Sequence, residues 1–94
     1  LSTNYSFRLY VAGDAPNSLR ARSNLRQIIK EWVSGPHTIE EVDLLKEPRR
    51  AQADNIIVTP TLLMVCPEPV RRVVGNLSDQ LKVVETLGLS RERA

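Results

Sequence analysis

The stretch from about Tyr5 to Leu45 constrains the fold most, because two strand patterns flank one long helix pattern. Tyr5, Phe7, Leu9 and Val11 alternate with Ser6, Arg8, Tyr10 and Ala12. Alternation of period two, rich in aromatic and branched residues, predicts a strand. Gly13-Asp14-Ala15-Pro16-Asn17 breaks it. From about Asn17 to Val33, Ala21, Leu25, Ile28, Ile29 and Trp32 recur at steps of three and four, which puts them on one helix face. Arg22, Arg26 and Lys30 form a second row, read as a solvated face. Ser34-Gly35-Pro36 stops the helix, with Gly as the terminating residue. A second strand is predicted from Thr38 to Leu45, centred on Ile39 and Val42. Strands joined through a helix of this length are parallel, with a right-handed crossover.

The second half has a different rhythm. Pro48 to Asp54 is a short helix with its proline at an early position, where a missing N–H is harmless. Ile56 to Pro60 leads into a strand, Thr61 to Cys66. Pro67-Glu68-Pro69 is a turn, and Val70 to Gly75 a further strand. A short loop makes these two antiparallel neighbours. Ser78 is the expected N-cap of a last helix whose apolar face is Leu81, Val84 and Leu87, with Gly88 as its stop. The tail Ser90-Arg91-Glu92-Arg93-Ala94 reads as frayed. The order β-α-β-α-β-β-α, a parallel pair followed by an antiparallel hairpin, is an α/β thioredoxin-like topology. Its 94 residues make one domain, 1–94, with a single modest core.

Composition excludes several function classes. Hydrophobic residues are 41% and charged residues 26% of the chain, an ordinary globular balance. The longest apolar stretch, Ile56 to Cys66, is interrupted by Thr59, Pro60 and Thr61. It falls well short of the ~20 residues of a membrane span, so no membrane partner is expected. Leu1-Ser2-Thr3-Asn4 shows no basic segment followed by an apolar one, so no secretory leader is expected. Thirteen basic and eleven acidic residues leave a net charge of +2, too balanced to indicate nucleic acid. Ten of the basic residues are Arg, which suits bidentate contact with carboxylate or phosphate. Cys66 is the single cysteine, which rules out an intrachain disulfide and a zinc cluster and fits a reducing cytoplasm.

Catalytic chemistry finds little support. A thioredoxin-like oxidoreductase needs Cys-x-x-Cys at the start of the first long helix, where the helix end lowers the thiol pKa. Asp14-Ala15-Pro16-Asn17 stands there instead. His37 sits beside Gly35-Pro36 in a predicted loop and reads as a surface residue. Ser18 and Cys66 have no evident base partner. Glu40 and Glu41 point to opposite faces of one strand, so with Asp43 they read as a solvated edge. Gly13 to Asn17 holds one glycine, too few for a phosphate loop. No catalytic residue, metal ligand or cofactor is therefore expected. Arg71-Arg72 is more informative, since adjacent strand residues face opposite sides and at least one meets solvent or a partner.

Leu9-Tyr10-Val11-Ala12-Gly13, Pro16-Asn17-Ser18, Asp43-Leu44-Leu45-Lys46, Thr59-Pro60-Thr61-Leu62, Pro69-Val70-Arg71-Arg72, Gly75 and Leu77-Ser78-Asp79 together resemble the KaiB family of cyanobacterial clock proteins. The blocks keep the family's order and spacing from about Tyr5 to Leu89. The resemblance implies a non-enzymatic regulator that binds the N-terminal ring of the hexameric ATPase KaiC. It also implies sequestration of KaiA through that complex and competition with the sensor domain of the kinase SasA. It implies two folds: a thioredoxin-like monomer that binds KaiC, and a ground state, usually tetrameric, with a rearranged second half. A dimeric or tetrameric unbound form is thus expected. Arg20, Arg71 and Arg72 are the implied partner contacts. Pro60, in a position that carries a cis proline in thioredoxin-like folds, joins Pro67 and Pro69 in the half that rearranges. Thr86 and Gly88 occupy positions where clock members commonly have Gly and Asp, so the balance between folds is expected to differ. A KaiB-like adaptor or sensor domain outside a core clock, SasA-like or stress-related, is the alternative.

Overall fold

The computed structural model describes residues 4–90. The elements are β1 (Tyr5–Val11), α1 (Pro16–Trp32), β2 (His37–Asp43), α2 (Pro48–Ala53), β3 (Thr61–Cys66), β4 (Arg71–Val74) and α3 (Gln80–Leu87). They build one sheet in the order β2-β1-β3-β4. β1 runs parallel to β2 and antiparallel to β3, and β3 and β4 form the antiparallel hairpin. The order of elements and the parallel-then-antiparallel pairing are those predicted from alternation and loop length.

Alternation divides β1 and β3 between two cores. Phe7, Leu9, Val11, Leu62 and Met64 face α1 and α3, where Ala21, Leu25, Ile28, Val83, Val84 and Leu87 cover them. Tyr10, Val42 and Leu63 point the other way and pack with Ala51 of the six-residue α2. Trp32 is half-buried against the larger core. The peptide bonds preceding Pro60, Pro67 and Pro69 are cis. The Pro60 carbonyl accepts the Gly75 N–H at 2.9 Å, extending the hairpin by one bond.

Several local expectations shift. Asp79, not Ser78, caps α3: its carboxylate accepts the Lys82 N–H at 3.2 Å, while the Ser78 N–H is held by Asn76. Capping needs an acceptor three residues before the donor it satisfies, so the helix start selects Asp79. Val83, Val84 and Leu87 form the buried face, and Leu81 is 71% exposed. Gly88 does end α3, at φ +70°, a left-handed conformation that glycine adopts readily. β2 stops at Asp43, whose carboxylate accepts the N–H groups of Gly13 and Leu45, so Leu44 and Leu45 lie in a turn. His37 opens β2 rather than sitting in a loop. α1 ends at Trp32 because Val33 is already extended, before Gly35. The predicted fraying of residues Arg91–Ala94 lies outside the described residues.

Candidate functional site

The groups capable of nucleophilic or redox work are dispersed. Cys66 pairs in register with Ser6, at the opposite end of β1 from the turn that starts α1. His37 is exposed at the start of β2, its Nδ1 3.2 Å from the Gly35 carbonyl oxygen. Among the described residues no three potential metal ligands cluster. Glu40 and Glu41 do face opposite sides of the sheet, and each is ion-paired. Glu41 meets Arg22, which also reaches Asp14 at 3.2 Å and the Gly13 carbonyl. Arg22 is thus a structural tie rather than a free member of the solvated row.

Glu40 belongs to a cluster that sequence reasoning missed. Arg50 grips it with two bonds of 2.6 and 2.8 Å, and Arg8 adds one at 3.0 Å. Arg8 also reaches Asp54 at 2.9 Å, and the Asp54 carboxylate accepts the hydroxyl of buried Tyr10 at 2.5 Å. The Arg50 bonds first, then that from Arg8, hold the Glu40 carboxyl down at about 2. Burial, reinforced by Asp54, pushes the Tyr10 hydroxyl up to about 12. Burial raises the Asp54 carboxyl, but the Tyr10 and Arg8 bonds outweigh it and leave it below the usual aspartate value.

Both shifts predict how stability depends on pH. The Tyr10 pKa is raised on folding, so its contribution is complete below about pH 10 and is lost as pH rises toward 12. The Glu40 pKa is lowered, so its contribution is complete above about pH 5 and is lost as pH falls toward 2. Urea unfolding across pH should show both declines. Tyr10→Phe should flatten the alkaline one and keep the acid one; an unchanged alkaline decline in that variant would refute the assignment.

The three arginines implied as partner contacts are exposed but do not share one face. Arg71 is opposite Met64 and Arg72 opposite Leu63, so they lie on the α1/α3 and α2 sides of the sheet respectively. Arg71 donates to the Thr86 carbonyl at 3.3 Å, and its guanidinium carbon is 3.4 Å from where a Cβ on Gly88 would stand. Arg71, Thr86 and Gly88 therefore meet at the C-terminal end of α3, where a cation also complements the helix dipole. Arg72 does the same for α2, donating to the Asp54 and Asn55 carbonyls at 2.6 and 3.0 Å. Arg20 lies apart, on the first turns of α1, 3.2 Å from Asn17 Oδ1. Asn76 donates to the same oxygen at 3.3 Å. Asn76 lines a groove of about 430 Å³ between β4 and α3, with Lys82 and Thr86.

The sheet register places Val42, Tyr10, Thr61 and Val74 in one row across the fold. Beyond that row lie the turns to either side and the start of α1. The elements at this end carry exposed Leu19 and Arg20 on the first turns of α1, Leu45 in the turn after β2, and Val58 and Val74 to either side of Thr61. In a folded chain this size, apolar side chains left out of water only partly, beside a cation, make a surface suited to contact with another protein. Sequence patterning could not single out Leu45 and Val58, because isolated apolar residues in turns follow no period.

The KaiB domain pattern matches residues 8–89. The circadian clock oscillator protein KaiB of Prochlorococcus marinus strain MIT 9312 is 46% identical over 85 residues, spanning 90% of this chain and 81% of that protein. Its counterpart in Trichodesmium erythraeum is 43% identical over 89 residues, 95% of this chain and 86% of that one. In three dimensions the N-terminal domain of Synechococcus elongatus SasA matches with a TM-score of 0.75 at 21% identity, over 94% of this chain and 87% of that domain. Mitochondrial thioredoxin 3 of Saccharomyces cerevisiae matches with a TM-score of 0.71 at 12% identity, over 93% and 80%. At those identities the likeness is one of fold alone. A pattern covering most of the chain and relatives above 40% identity agree: the chain belongs to the KaiB family.

Proposed function

We propose that this chain is a non-enzymatic, clock-type regulator that binds the ATPase KaiC and so modulates its phosphorylation and output signalling. One observation carries the reading. The end of the fold where a thioredoxin would hold its reactive cysteines holds Asp14-Ala15-Pro16-Asn17, flanked by exposed Leu19 and Arg20. That end is built to dock rather than to react. The names of its relatives, circadian clock oscillator proteins, support the same role. Arg20, Arg71 and Arg72 are the proposed contacts with acidic groups on KaiC, through charge-assisted hydrogen bonds. KaiA capture by the complex, competition with SasA, a self-associated unbound form with a rearranged second half, and a cytoplasmic location complete the proposal. No described helix is long and apolar enough to cross a membrane.

Size-exclusion chromatography with phosphorylated KaiC and ATP tests it, and a co-migrating complex is the expected result. Arg20→Ala should weaken that complex by about 2 kcal/mol, roughly 30-fold, if Arg20 is a buried anchor. Among the described residues Arg20 bonds only to Asn17, so the thermal unfolding of the variant should stay near that of the wild type. No complex after a day would refute the reading. A second reading is a SasA-like sensor domain of a kinase, whose fold this chain shares. A kinase core continuing the reading frame past Ala94 would select it.

A further inference from the structure

We propose that the outer edge of β4 is a strand-addition site for an extended, acidic segment of a partner protein. The inference rests on the docking reading only in counting Arg72 as part of the partner surface.

The backbone makes the case first. The Gly75 N–H points at β3, since it donates to the Pro60 carbonyl. In an antiparallel ladder inward-facing groups recur at every second residue. The register of β3 and β4 is unbroken from Thr61↔Val74 to Met64↔Arg71. Arg71 and Val73 therefore bond to β3, and the N–H and C=O groups of Arg72 and Val74 face away from it. β4 ends the sheet, so among the described residues no strand meets those groups. Natural edges are commonly blunted by a bulge, a proline, charged side chains or shortness. β4 has no bulge and no proline; its four residues are guarded by the charges of Arg71 and Arg72, which repel a cationic edge but not an acidic one.

The side chains add an apolar shelf. Arg72 and Val74 lie on the α2 side of the sheet, and Val70, one residue before the strand, continues the alternation. The short α2 covers Tyr10, Val42 and Leu63 and leaves β4 open. Val70 and Val74 are 55% and 58% exposed. The Val58 backbone lies near the Val74 end of the strand, because Thr61, the register partner of Val74, donates its hydroxyl to the Val58 carbonyl at 2.7 Å. An incoming strand would lay alternate apolar side chains on Val70 and Val74 while its backbone completes the ladder.

Charge selects the occupant. β4 carries Arg71 and Arg72 and no acid. Carboxylates on the added strand would meet guanidinium groups already held in place by helix carbonyls. A second copy of this chain, paired antiparallel about Arg72, would set two Arg72 side chains directly opposite each other. Like charges so placed destabilise a strand pair.

The test uses a soluble peptide of alternating Glu and Val, with both ends blocked, titrated into the full chain and followed by amide NMR. The expected result is a set of shifts centred on Arg72 and Val74. Val74→Glu should weaken binding at least tenfold, Val74→Lys should preserve it, and both should unfold at nearly the wild-type temperature, since the side chain is exposed. Absence of shifts, shifts centred on β2, equal binding by the Glu and Lys variants, or a peptide-independent dimer through β4 would each overturn the proposal. KaiC, added separately, distinguishes the two readings. A peptide bound at β4 without any KaiC complex keeps the edge assignment and removes KaiC as the partner. A KaiC complex with a silent peptide keeps the regulator and removes the edge.

Discussion

Leu62→Ala is expected to lower the free energy of unfolding by about 3 kcal/mol, the middle of the range for a fully buried leucine in a close-packed core. Leu62 lies on β3, with β1 on one side and β4 on the other, directly opposite Leu9 in the register. It is fully buried beneath α1 and α3, among Leu25, Ile28, Val84 and Leu87. Neither the sheet nor the helices can close in without breaking the hydrogen bonds on both sides, so a cavity remains and adds to the lost transfer energy. Small domains have roughly 5–15 kcal/mol in all, so the variant should lose a large share of it. Leu81→Ala is the control. It removes the same atoms from an exposed site and should change stability by less than about 0.5 kcal/mol. Urea unfolding of both variants checks the pair. Equal losses would mean that α3 buries a different face from the one described.

Asp54→Ala is expected to cost about 2–3 kcal/mol, from the cluster on the opposite side of the sheet. Its carboxylate accepts from Tyr10 and from Arg8. Without it the buried Tyr10 hydroxyl keeps only the Arg50 carbonyl, and Arg8 keeps only Glu40. Removing Tyr10's hydroxyl as well, in Asp54→Ala with Tyr10→Phe, should cost about 1 kcal/mol less than the sum of the two single changes, because each single change already breaks the Tyr10–Asp54 bond. A double-mutant cycle in urea measures this directly, and strict additivity would dissolve the cluster as an energetic unit. The same substitution also reports on β4. The backbone carbonyls of Asp54 and Asn55 are what Arg72 grips, so loosening the end of α2 should speed amide exchange in the β4 segment.

The origin of these two effects shows how much of the molecule was legible beforehand. Leu62 could be placed in a strand from its neighbours, since an apolar run between prolines has few other uses. Tyr10 could not be placed in a core. Its alternation with Leu9 and Val11 puts it in the row with Ser6 and Arg8, and it is fully buried there because α2 covers that side. The Arg8 cluster joins residues 32 and 46 positions apart, a distance across which no local pattern carries information. Ser78 was the expected cap, but α3 begins at Gln80 and buries Val83 instead of Leu81, so the cap falls to Asp79.

Periodicity, spacing and loop length are properties of neighbouring residues. They were sufficient for the element order, the parallel first pair and the hairpin, and the ordered motifs were sufficient for the family. Where Arg71 and Arg72 reach, and which surface stays open, was settled by packing. Adjacent side chains on a strand leave by opposite faces, but only the docking of α2 and α3 against the sheet brings a helix end under each guanidinium. The same docking leaves β4 with one uncovered side, because α2 is too short to span four strands.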